Sequence, residues 1–94
     1  MKITPQVHAL LPLHRDGHRH IASKDGGAPI EVYSGFIGLA TANELESLIV
    51  TAVNSHEALV AALSTMVAAN AAGREVSIDE FRAATEALAL AAKP

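Results

Sequence analysis

Four of the five histidines fall within the first twenty residues: His8, His14, His18 and His20. In an extended segment residues 18 and 20 point to one side. A turn that returned His14 beside them would gather three imidazole nitrogens, a set able to hold zinc. His14, His18 and His20 are therefore candidate metal ligands, with solvated surface histidines as the alternative. Arg15, Arg19 and Lys24 lie among them, beside Asp16-Gly17 and Asp25-Gly26-Gly27. Glycine turns expose backbone amides and arginine offers forked donors. Arg15, His18, Arg19, His20 and Lys24 thus form a candidate anion-binding segment suited to a phosphate, and a symmetry axis in an oligomer would focus it further. The alternative is a hairpin turn with ordinary solubilising charges, because neither Walker spacing nor a strand–GxGxxG–helix arrangement is present.

Asn54-Ser55-His56 is the other polar feature, set in the middle of an apolar helical stretch with His56 between Val53 and Leu59. A polar side chain at such a position needs a partner. It would either fix register across a helix interface or face a ligand. No serine sits in a GxSxG elbow, and no pair of charged residues has the spacing of a general acid and base. The chain contains no cysteine, which removes disulfides, thiolate zinc sites, thiol nucleophiles and iron–sulfur clusters together. Neither catalysis nor a cofactor is expected. Tyr33 and Phe36 offer a stacking surface or, beside strands, core.

The elements that must position these residues are of two kinds. From His18 onward the signals are those of strands: His20 to Ser23, a turn at Lys24-Asp25-Gly26-Gly27, then Pro29 to Ser34 with Ile30 and Val32 on one side and Glu31 on the other. Gly35 and Gly38 break the run around Phe36-Ile37, which is compatible with a third short strand or a bulged extension reaching Leu39. Ahead of the strands, Thr4-Pro5 reads as an N-cap followed by proline in the first turn of a short helix, Pro5 to Leu11, stopped by Pro12. Thr41-Ala42-Asn43-Glu44 reads as a capping box. It opens a long helix over about 41–70, whose apolar positions from Leu45 to Val67 recur at spacings of three and four. Asn70 and Gly73 supply its end. Ser77-Ile78-Asp79-Glu80 is a second capping box, flanked by Val76 and Phe81 as a hydrophobic staple, and starts a shorter helix over about 77–92. With so short a connection the two helices fold back antiparallel. The expected fold is α+β, a single domain over 1–94 in which an N-terminal β-hairpin element is followed by an antiparallel helical hairpin.

Half of the 94 residues are hydrophobic, yet nineteen of them are alanine and only 3% of the chain is aromatic. A chain this short buries only about 60% of its unfolded surface, so so thin a core predicts a homo-oligomer. The net charge is −3. Residues 1–34 are slightly basic, whereas residues 35–94 set Arg74, Arg82 and Lys93 against seven carboxylates. Without a basic stripe, direct duplex DNA binding lacks its usual footprint. The uninterrupted apolar runs are too short to cross a bilayer, and the N-terminus does not read as a signal peptide. These features predict a cytoplasmic protein with no membrane partner.

The segment from Leu48 to Leu63, with Leu48-Ile49, Ala52, Asn54, His56, Leu59 and Ala62-Leu63, resembles a stretch found in small accessory proteins of tailed bacteriophages and prophages. In those proteins a short β-rich beginning leads into a helix of the form A-N-A-x-L-I-x-x-A-x-N-x-H-x-x-L-x-x-A-L. The overlap is about twenty residues, and the chain departs from it at Glu44, Leu45 and Glu46. The resemblance implies a non-enzymatic protein that counters host defence by stoichiometric binding in the host cytoplasm. One mechanism sequesters a signalling nucleotide at Arg15, Arg19, His20 and Lys24. Another blocks a host defence protein such as a CRISPR effector through an acidic helix surface with Glu46, Glu57 and Glu86. The alternative class is a structural or regulatory oligomerisation module with no small-molecule ligand.

Overall fold

The computed structural model describes residues 2–17 and 20–92. It is an α+β arrangement, with a small antiparallel sheet followed by a long and a shorter helix that pack together. The chain divides into two compact units, one ending at Asn54 and one beginning at Ser55.

The first unit opens with α1, Pro5–His8, in which the Thr4 hydroxyl accepts the Val7 amide and Pro5 occupies the first turn. This helix ends three residues before the expected Leu11. Three strands follow: β1 (His14–Arg15), β2 (His20–Ala22) and β3 (Ile30–Glu31), in the order β1-β2-β3 with both pairings antiparallel. The expected hairpin is the β2–β3 pair, with Ile21 opposite Ile30 and His20 opposite Glu31. Its turn closes where the Gly26 amide reaches the Ser23 carbonyl at 3.0 Å, with Gly26 at φ +96°. A left-handed conformation of this kind is open to glycine at little cost. The third strand, however, is β1 and not the Phe36-Ile37 segment, which forms a turn. Two residues of β1 suffice because Leu13, just ahead of it, is held by a side chain from the long helix, as set out below.

The long helix α2 is Leu39–Ala71, so it begins before the Thr41–Glu44 capping box, which lies inside the helix. The reason is packing. Ala42 is fully buried and joins Leu13, Ile21 and Val32 in the core, and a residue seated there needs the turn that precedes it. Gly38, at φ +86°, makes that entry. Its amide donates to Ser34 O at 2.8 Å and its carbonyl accepts from Ala42 at 3.0 Å. Ile49, Val50 and Val53 pack on the same cluster, giving the first unit a core of sheet and helix. By length and composition alone α2 is apolar enough to cross a membrane, a property that short uninterrupted runs do not register.

The second unit is the helical hairpin. α2 ends at Ala71 and is closed just beyond by Gly73, φ +66°, with the Arg74 amide on Ala69 O and the Gly73 amide on Asn70 O, both at 3.1 Å. That pair of bonds is a Schellman closure. α3, Ile78–Ala91, starts with the expected capping box: Ser77 Oγ accepts from the Glu80 amide and the Glu80 carboxylate accepts from the Ser77 amide. Arg74 adds two donors to the same carboxylate at 2.7 and 2.8 Å. Together the guanidinium and the cap hold the Glu80 carboxyl down at about 2, and the carboxylate in turn raises Arg74.

Candidate functional site

Two side chains of the 15–24 segment, Arg15 and His20, take up partners within the fold. Arg15 lies at the end of the short β1, where it reaches α2: one nitrogen donates to Asn43 Oδ1 at 3.0 Å and another to Ser47 Oγ at 3.2 Å. Glu46 Oε2 stands 3.7 Å from the same guanidinium. Asn43, Glu46 and Ser47 share one helical face by their spacing of three and four. Glu46 is 1% exposed, because it falls in the core-facing row of Ala42, Ile49, Val50 and Val53. It therefore cannot belong to an acidic outer surface with Glu57 and Glu86, as the charge pattern alone suggested. The 43-46-47 spacing is the signal that would have pointed to Arg15's partners.

His20 is bracketed by acids. Its Nδ1 lies 3.6 Å from Asp16 Oδ2 and its Nε2 lies 3.8 Å from Glu31 Oε2. The antiparallel register accounts for both, since Glu31 is directly across the ladder and Asp16 faces His20 across the β1–β2 connection. An imidazole between two carboxylates sits in a field that favours cations over phosphate. Lys24 is exposed in the β2–β3 turn, its amide bonded to Leu10 O at 3.0 Å. His18 and Arg19 lie outside the described residues. His14, opposite Ala22 in the ladder, is exposed. Among the described residues no group of three or more His, Asp or Glu side chains is placed to hold a metal ion. Tyr33 and Phe36 are exposed and add nothing to the core.

Asn54 has the partner that its position demands, but within its own chain. Its Oδ1 accepts from Leu13 N at 2.7 Å and its Nδ2 donates to Leu13 O at 2.8 Å. The amide thereby imitates a strand, pairing both backbone groups of the residue that leads into β1. Ser55 is buried and His56 half-buried.

Two open recesses belong to the hairpin unit. One, of about 590 Å³, has a floor of alanines on α2 and α3 and is bordered by Asp79, Glu80 and Glu86. The other, of about 480 Å³, lies between Leu59, Leu63 and Met66 of α2 and Phe81 and Leu88 of α3. Alanine produces both, since it lets helices approach while leaving little side chain to fill the seam. The hydrophobic residues buried in this unit are Ala69 and Ala87. Sequence periodicity identified the apolar positions, but not that most of the large ones stay uncovered.

No family model, no curated protein and no solved structure matches the chain.

Proposed function

We propose that this is a non-enzymatic phage accessory protein that counters host defence by stoichiometric binding, and that its target is a protein. The supporting observation is the distribution of charge over the two halves. On the sheet side Arg15 is already faced by Glu46, and His20 by Asp16 and Glu31, so neither of these two side chains is set up as an anion ligand for a nucleotide messenger. The hairpin instead offers a recess bordered by Asp79, Glu80 and Glu86; Glu80 is paired with Arg74 and Asp79 lies 3.5 Å from Arg82, so Glu86 is the carboxylate there that faces outward without a cation beside it among the described residues. Such a surface is complementary to the basic groove of a nucleic-acid-binding host protein, and complementary fields speed encounter as well as select partners.

The test is plating efficiency of a phage on bacteria that carry a CRISPR effector, with the wild-type chain or Glu86→Lys supplied in trans. Protection by the wild type, lost on charge reversal at Glu86 while the variant remains folded, is the expected result. If protection instead appears only against a nucleotide-messenger defence, and Lys24→Glu removes it while Glu86→Lys does not, the target is a nucleotide and the protein-directed reading fails.

A further inference from the structure

Among the described residues the hairpin unit buries no side chain larger than serine: Ser55, Ala69 and Ala87 are the buried ones. Five of its large apolar side chains line one recess. Leu59, Leu63 and Met66 supply it from α2; Phe81 and Leu88 supply it from α3, with Ile78 one turn before Phe81 on the same side. Leu63, Ile78, Phe81 and Leu88 are each between 65% and 78% exposed.

From this face we infer that the chain self-associates, two copies joining their hairpins by this surface around a two-fold axis to complete a four-helix bundle. Charge and size are the observations that point to a second copy as the occupant. The residues lining the recess include no ionisable side chain, while Asp79, Glu80 and Glu86 border the opposite one. For a chain of net charge −3, a face without ionisable groups is the one at which two copies meet with least repulsion. The size is also appropriate. A phenylalanine brings roughly 150–250 Å², and Phe81, Leu63, Ile78 and Leu88 each keep about two thirds or more of their surface exposed, so the face offers several hundred Å², approaching the roughly 800 Å² per partner that a stable interface uses. An isologous contact of this kind closes after two copies and leaves no open end. Each subunit would retain its acid-bordered recess on the outside.

The experiment is light scattering coupled to size-exclusion chromatography of the full chain over a range of concentrations, beside Phe81→Ala and the double variant Leu63→Glu, Phe81→Glu. The altered side chains face solvent in the single chain, so helicity at low concentration should match the wild type. Phe81→Ala keeps the test valid even if the charged variant does not fold. The expected result is a two-subunit wild type, about tenfold or more weaker association for Phe81→Ala and about a hundredfold or more for the double variant. Glu86→Lys, on the other recess, should leave the subunit number at two. A wild type that remains a single chain throughout would overturn the inference and give this face to a different protein. So would a Phe81→Ala variant that associates as tightly as the wild type.

Discussion

Asn54 commits both ends of its amide to Leu13, and that economy explains why a two-residue strand can hold the edge of a sheet. Removing the side chain leaves an N–H and a C=O unpaired in a part-buried place, and each orphaned group costs about 1–3 kcal/mol. Asn54→Ala should therefore lower stability by about 2–4 kcal/mol, read as a drop in the urea midpoint with unchanged slope. Asn54→Asp separates the two bonds: the carboxylate still accepts from Leu13 N but turns a lone pair toward Leu13 O, so it should also destabilise at neutral pH and recover in part when protonated. An Asn54→Asp protein as stable as the wild type would show that the donor half contributes nothing. At this scale the sequence was half readable. A polar break on an apolar helix face announces that Asn54 needs a partner, yet a partner 41 positions away follows from tertiary pairing and leaves no local trace. Glu46 is the converse case. Its place in the core-facing row was visible in the 42-46-49-53 spacing, but a carboxylate reads as surface until the Arg15 that faces it is located.

Local devices decide helix boundaries only where packing does not compete with them. Both capping boxes are equally legible, and only the one at Ser77 is used. Nothing buried precedes α3, so its start is set by Ser77 and Glu80, whereas α2 must begin early enough to seat Ala42. The first prediction at the scale of elements concerns acid. Glu80 is bound by Arg74 and by the Ser77 amide, and its carboxyl is lowered in the folded chain from 4.5 to about 2. A lowered carboxyl contributes stability that is fully present above the unfolded value and is lost as pH falls toward the folded one. The start of α3 should thus loosen between about pH 4.5 and 2, seen as a shift of the Ser77 and Glu80 amide resonances on titration. Glu80→Gln keeps the shape but not the charge, and should flatten that part of the profile. A variant that titrates like the wild type would assign the acid response to other carboxylates. The strands obeyed a different limit. The turn glycines located the β2–β3 hairpin, but which third segment pairs with it depends on contacts made by α2, so Phe36-Ile37 and His14-Arg15 were not distinguishable by composition.

Across the whole molecule, alanine content was the most informative quantity in the sequence, because it foretold a chain with too little side-chain volume for its helices. What composition could not show is where the deficit falls. The two units differ: the sheet side closes around Leu13, Ile21, Val32 and Ala42, while the hairpin buries only small side chains. Local stability follows buried apolar contact, so amide exchange should be slowest in β2 and in the part of α2 around Ala42 to Val53. It should be faster in α3. Association adds protection only to the part of the chain that is covered, and by mass action that protection falls on dilution. Exchange followed by mass spectrometry at high and low protein concentration should therefore show α3 and residues 59–66 losing protection on dilution while β2 keeps its own. Equal loss in both units would mean that they unfold as one body, and a concentration-independent α3 would mean that its small-residue seam is sufficient to hold it unaided.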